Sequence, residues 1–383
     1  MLKGNKGEWS ELYVLLKLLA DGKLHAADEN LERIEEVFYP IIKILREEVG
    51  QKREYVLNGN VKIIDGDSKE VLTEIPTANF LKNSFQLFQS IKEAKGRSFD
   101  FPQYEAFLRS IDVKNLKAKS IDKSDITIIA HDPETSQKQQ LGFSIKSLIG
   151  KNSTLFNSQA GTNFIYKIFI PEDTSFNVDE FNKQTFEESK DLKIAKIAVR
   201  LERLEQLGYP LKFQSIQSPN LELNLTMVDS KLPQILSYLL YYKYRYGTNN
   251  IIDLIQRLNQ ENPLAYNTNL GHPFYEFKIK NLLADYALGM TPQSVWTGEY
   301  DATGGIIIVK SDGNLLCYHI CDKNKFQNYL INHTKLEQAS TGEDKENPGF
   351  PSTKKSAKPF KFGWVYEEGG EYFIKLNLQI RFR

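Results

Sequence analysis

Residues 124–147 set two short, β-branched apolar runs, SDITIIAHD and LGFSIKS, on either side of an eight-residue polar stretch, PETSQKQQ. Each run is too short for a helix of ordinary length, and Asp132-Pro133 opens a turn, so the segment reads as two antiparallel strands paired in a hairpin. A strand has a side-chain period of two, so every second residue of each run shares a face.

Around that hairpin the pattern alternates between helical and strand-like. GEWSELYVLLKLLA (7–20) reads as a helix that is almost wholly apolar after its first turn and is stopped by Asp21-Gly22. ENLERIEEVFYPIIKILREE (29–48) reads as a second helix, kinked or broken at Pro40. Residues 52–64 read as paired strands about Asn58-Gly59, and 77–94 and 103–111 as helices. Residues 151–162 have room for a short helix, and NFIYKIFIP (163–171) reads as a third strand. Helices follow at 178–207 and 231–260, with a strand-like stretch at 213–228 between them. From 263 onward Gly, aromatics and short strands dominate, and 338–359 reads as a mobile loop. The expected fold class is α/β, with a mixed sheet flanked by helices. Three regions are expected: 1–175 with the hairpin and N-terminal helices, a helical region at 176–262, and a β-rich region at 263–383.

Composition narrows the setting more than the function. The 49 basic and 49 acidic residues cancel, so any contact with phosphate needs the basic residues gathered on one face. Two cysteines, Cys317 and Cys321, cannot build a disulfide framework in 383 residues. The N-terminus lacks the apolar run of a signal peptide, and no stretch approaches about 20 uninterrupted apolar residues. A reducing cytoplasm is the expected location.

The hairpin carries the chemistry. Asp125 opens the first strand, and Ser144 and Lys146 share a face of the second, 19 and 21 residues later. The backbone carbonyl of Ile145 lies between them. A carboxylate, a carbonyl and a lysine brought together on adjacent strands suit a Mg²⁺ ion, which prefers hard oxygen ligands, with a cation beside it to orient an attacking water. Cleavage of a phosphodiester needs that combination. Taken alone, the pattern is also met by solvated strand-edge residues. Glu8 and Glu11, three apart on the first helix, offer further carboxylates, and simple N-terminal helix charge explains either equally well.

Other residues fit DNA contact. Lys114, Lys117, Lys119 and Lys123 form a basic connector ahead of the first strand, where phosphate contact and plain solvation are both open. Ser147, Ser153, Thr154, Asn157 and Asn163 suit backbone contacts or caps. Lys243 and Arg245 in KYRYG, Asn249-Asn250, Arg200 and Arg203 combine the residue types of base readers, although packing on helices is the plainer reading. Cys317, His319, Cys321 and His333 do not space as a zinc site, because no second cysteine pair exists. His131 falls at a turn, Glu299 and Asp301 lie in a loop expected to pack against the core or DNA, and Trp9 and Trp296 read as core anchors.

Four separated blocks carry a resemblance: GNKGEWSELYVLLKLLADGKL; SDITI with LGFSIKSLIGKNSTLFNSQAGTNFIYKI; ALGMTPQSVWTGEYDATGGIIIVKSDGNLLCYHI; and FIKLNLQIRF. In that order, across nearly the whole chain, they resemble the HpaII family of type II restriction endonucleases. The resemblance implies a PD-(D/E)xK nuclease core in residues 1–175 and a C-terminal region that helps recognise DNA. It also implies Mg²⁺-dependent cleavage of double-stranded DNA at a short palindrome, CCGG for the family's namesake, and a cognate DNA methyltransferase as genetic partner. Asp125 then matches the motif's metal-binding Asp and Lys146 its Lys, Glu11 lies in the first core helix, and Ser144 departs from the usual Asp or Glu. Monomer and homodimer both fit a palindrome. A repair or junction nuclease, and a DNA-binding protein with a decayed site, are the alternative readings.

Overall fold

The computed structural model describes residues 2–116, 124–131, 138–150, 153–339, 343–352 and 362–383. The chain divides into two compact units. Unit 1 is Met1–Ser153 with Ala287–Gly289 and Glu299–Leu330; unit 2 is Thr154–Tyr286 with Met290–Gly298 and Ile331–Arg383. Among the described residues no helix is long and apolar enough to cross a membrane.

Unit 1 begins with helix α1 (Lys6–Asp21). Asn5 accepts from the Glu8 N–H while the Glu8 side chain accepts from the Asn5 N–H, a capping box that fixes the start. Gly22, at φ 67°, ends it in the left-handed conformation that glycine adopts without strain. The apolar run after the first turn is buried, Trp9, Leu12, Leu16 and Leu19 among its residues, and full burial of each such leucine contributes about 1.5–3 kcal/mol. It packs against helix α2 (Thr77–Glu93), with the Tyr13 and Phe88 rings 5.4 Å apart.

Among the described residues the larger sheet of unit 1 has nine strands. In chain order they are β1 (Lys23–Ala27), β2 (Arg33–Glu48), β3 (Gln51–Asn58), β4 (Asn60–Asp65), β5 (Val71–Pro76), β6 (Ile126–His131), β7 (Lys138–Ser147), β8 (Gly305–Val309) and β9 (Leu315–His319). Their spatial order is β1-β9-β8-β7-β6-β2-β3-β4-β5, and a further β1–β2 pairing closes six of them into a ring. Two pairings, β7–β8 and β1–β9, are parallel. The sheet is mixed, as expected.

Residues 29–48 are where the structure departs most from the sequence reading. They form strand β2, not a helix. Its first half pairs with β1 (Lys23↔Pro40), and its second half lies between β6 (Ile44↔Ile128) and β3 (Ile44↔Tyr55). The aromatic and β-branched run FYPII fits a pleated surface, and Ile44, Arg46 and Glu48 are buried in alternation. Pro40 sits where the strand changes partners, and the next N–H, that of Ile41, bonds to the Gly22 carbonyl.

Among the described residues unit 2 has two sheets. One runs Leu211–Ile216, Asn163–Ile168, Glu371–Asn377, Val365–Glu368; the other runs Thr154–Phe156, Ile380–Phe382, Thr334–Leu336. Within 151–162 the described residues hold that short strand and a single 3-10 turn, Ala160–Thr162, in place of the expected helix. The strand-like stretch 213–228 divides at Ser218: a strand ends at Ile216, and helix Pro219–Val228 follows. Ser218 caps the Leu221 N–H and Pro219 takes the first helical position, a start signal that outweighs the Leu alternation. The region from 263 onward is not purely β-rich, since it also holds helices Phe274–Leu288 and Lys323–His333. The 338–359 loop lies partly outside the described residues; within it Glu343 bridges to Pro351.

Candidate active site

The hairpin of β6 and β7 forms as expected, with Ile126 opposite Phe143 and Thr127 opposite Gly142. One step further, Asp125 faces Ser144. Its N–H donates to the Phe143 carbonyl at 3.0 Å. Its Oδ2 accepts from the Ile145 N–H at 2.6 Å and from Ser144 Oγ at 3.1 Å. The carboxylate is therefore pinned by two donors, and among the described residues Oδ1 takes no hydrogen bond. Lys146 lies two residues beyond Ser144 and so on the same face. It is half-buried, and among the described residues it makes no ion pair. Gly142, one turn of the pleat away, admits no side chain: a Cβ there would lie 2.8 Å from Ser124 Oγ.

Asp125 lines a cavity of about 210 Å³ together with Glu11 of α1 and Glu47 of β2. The β2–β6 register pairs Leu45 with Thr127, and two residues on it brings Glu47 opposite Asp125. Nothing in the sequence reading flagged Glu47, because a helical reading of 29–48 hides which face it shares. Glu54, also on the cavity, is pushed up by burial, but hydrogen bonds from Lys43 and Lys69 outweigh this and hold it below its ordinary range. Among the described residues no three His, Cys, Asp or Glu side chains converge to hold an ion by themselves.

An ion pair is buried at the cavity, which Arg46 also lines. Arg46 bonds to Glu48, both nearly solvent-free. The Glu48 Oε2 accepts from the N–H groups of Lys114 and Asn115 at 3.1 Å each, and Arg46 donates to the carbonyls of Asn115 and Leu116. Two charges on alternate residues of one strand thus fasten the connector that leads towards Asp125.

The structure does not bring every candidate to this place. Glu8 is spent on the capping box of α1. Ser147 does not face DNA: it is buried, its Oγ accepts from Ser10 Oγ at 2.9 Å and its N–H donates to Ser153. Asn163 is likewise interior, bonded to Gln217 and Asn377. Lys243 is buried, with its amine 2.9 Å from the Glu337 carbonyl, so it cannot read bases. Arg245 is held by Glu202 and Glu205, and Arg203 by Glu188. Arg200 is fully buried over the Trp364 ring. Asn250 caps a helix. Asn157 is exposed. Lys117, Lys119 and Lys123 lie outside the described residues. Cys317 is buried in the core, whereas Cys321 is exposed and its N–H donates to His319 Nδ1. Trp9 anchors the core as expected. The loop before β8 packs on the hairpin, with the Gly304 N–H donating to the Gly142 carbonyl at 2.7 Å.

Comparison with known proteins gives this geometry a family. Residues 5–382 match the HpaII restriction endonuclease family. The chain is 38% identical over 381 residues to the "Type II restriction enzyme HpaII" of Haemophilus parainfluenzae, covering 99% of this chain and 98% of that protein. No solved structure matches. Motif residues meeting on one hairpin, in a chain aligned end to end with a restriction enzyme, lead to one assignment: the chain belongs to the HpaII restriction endonuclease family.

Proposed function

We propose that the protein is a type II restriction endonuclease of PD-(D/E)xK type that makes Mg²⁺-dependent double-strand breaks at a short palindrome, of the CCGG kind implied by the family's namesake. The observation that carries the reading is the Asp125–Ser144 hydrogen bond with Lys146 on the same strand face. Glu11, Glu47 and Asp125 line one cavity, an all-oxygen donor set of the kind Mg²⁺ takes while keeping water and phosphate oxygens in its shell. The Ile145 carbonyl is a further candidate ligand.

When bound, the metal would relieve charge on the phosphate and lower the pKa of a bound water. The chain's own residues do the rest. Ser144 and the Ile145 N–H hold the Asp125 carboxylate in one orientation before DNA arrives, so no reorganisation is needed during reaction. Lys146 places its ammonium group beside the attacked phosphate, orients the incoming water and offsets negative charge as the 3′ oxygen leaves, yielding a 5′ phosphate.

The nuclease core is assigned to unit 1 and sequence recognition to unit 2. The enzyme acts in the cytoplasm beside a DNA methyltransferase that protects host sites, as monomer or homodimer. Sequencing the ends of plasmid DNA digested by the purified protein in Mg²⁺ tests the reading. Uniform ends at one palindrome are expected. Ends at branched structures only would favour a junction nuclease. No cleavage at all would make Ser144 the mark of a decayed site.

A further inference from the structure

A surface loop in unit 2, residues 290–298, is exposed yet firmly held. Thr291, Gln293, Ser294 and Val295 are exposed, Val295 to 72%. The loop has no regular backbone pairing to fix it, and helix Pro219–Val228 does so instead. Asn224, only 3% exposed, donates from Nδ2 to the carbonyls of Thr291 (3.2 Å) and Ser294 (2.9 Å), and its Oδ1 accepts from the Trp296 N–H at 3.0 Å. Asn220, one helical turn earlier, donates to the Gln293 carbonyl at 3.1 Å, and Ser218 Oγ donates to the Pro292 carbonyl at 3.2 Å. Three polar side chains of one helix start thus clamp five backbone groups of the loop.

The clamp has a chemical consequence at Gln293. Its Nε2 donates to the Oε1 of Gln159. Gln159 is itself held: its backbone N–H donates to Thr162 Oγ1, its carbonyl accepts from Asn377 Nδ2 at 2.9 Å, and its side chain accepts from the Thr162 N–H in a capping box. One glutamine therefore sets the orientation of the other. With Gln293 exposed and Gln159 half-buried, the bond leaves the Gln293 Oε1 acceptor, its second N–H and the Gln159 Nε2 donors without hydrogen-bond partners among the described residues. A fixed acceptor beside fixed donors is complementary to base-pair edges in the major groove, where each pair presents its own donor and acceptor order. Phosphate, by contrast, offers acceptors only, and would be met by cations.

We infer that Gln293 and Gln159 are base-reading residues of this enzyme, and that Asn224 is the positioning residue that holds the reading loop. The inference rests on the proposed site-specific cleavage and adds to it the residues that choose the site. In a calcium buffer that permits binding without cutting, affinities are measured for a short duplex carrying the mapped cleavage site and for a duplex of scrambled sequence. For Gln293→Ala and Gln159→Ala, affinity for the cognate duplex falls on the order of ten- to a hundredfold, as for loss of a base contact, and affinity for the scrambled duplex holds within about twofold. Asn224→Asp keeps the oxygen that accepts from Trp296 and loses both donors; the same selective loss follows, with a circular-dichroism melt showing the chain folded. Equal weakening on both duplexes, or no change on either, overturns the inference. A wild-type protein that cuts at mapped sites while the glutamine variants keep full discrimination overturns it alone. A wild-type protein with no preference between duplexes overturns the proposed function as well.

Discussion

The two units bury cations in opposite ways. In unit 1, Arg46 meets Glu48 and Arg53 meets Asp65 at 2.8 Å as well as Asp112. Each buried guanidinium has a carboxylate, and the pairs fasten the connector near the candidate site. In unit 2, Arg200 and Lys243 are buried with no carboxylate hydrogen-bonded to either among the described residues, and Glu343 and Glu337 act on them only across space. Arg200 donates to the Gly363 carbonyl and lies over Trp364, its ring centroid 4.1 Å away; Lys243 donates to the Glu337 carbonyl and lies 3.9 Å from the Tyr244 ring centroid. Burial pushes Lys243 down to about 7 and Arg200 to about 9. In the first unit charge is compensated and positions backbone beside the candidate site. In the second the cation is a brace between carbonyl and ring, and its charge opposes burial.

That contrast can be broken most sharply at Glu48. Glu48→Ala leaves Arg46 buried without its acid and frees the N–H groups of Lys114 and Asn115, so stability should fall by about 3–5 kcal/mol, read as a lower urea midpoint. The double change Arg46→Met with Glu48→Leu removes both charges and should recover much of the loss. If the double variant is as unstable as the single one, the pair is not acting as compensated charge.

A smaller effect sharpens the other side. Because the folded-state pKa of Lys243 lies near 7 and its unfolded value near 10.4, the unfolded chain binds more protons between those values. This group's share of stability is therefore lowest below pH 7 and rises as pH increases towards 10. Replacing Lys243 by Met removes that rise. The difference in melting temperature between wild type and variant should shift in favour of wild type from pH 7 to pH 9.5, whereas a difference that stays constant would mean the amine is charged in the fold.

How much of this was legible follows from the range of the interactions. The β6–β7 hairpin is local, and its alternation, its turn and its Asp–Ser–Lys spacing are all written within 24 residues. Helix α1 is equally local, with cap, apolar face and terminal glycine in one run. Strand β2 was hidden because Glu, Leu and Arg at helical spacing masked a segment whose partners, β6 and β1, come from both sides of it in sequence. Losing β2 also hid Glu47, whose place on the cavity depends on which residues alternate with Ile44. The Asn224 clamp joins residues 67 to 72 positions apart, and no local pattern marks such a pairing. The Ser147 and Lys243 expectations gave way for the same reason: residue type suits DNA, but burial is set by distant packing.

The account turns on Asp125 and Lys146 acting together on one strand face. The most direct test is single-turnover cleavage of the cognate duplex in Mg²⁺ by Asp125→Ala and Lys146→Ala, with affinity for the same duplex measured in Ca²⁺. The account predicts that each variant loses on the order of a thousandfold or more in cleavage rate while still preferring the cognate duplex. Cleavage within tenfold of wild type by either variant would contradict it.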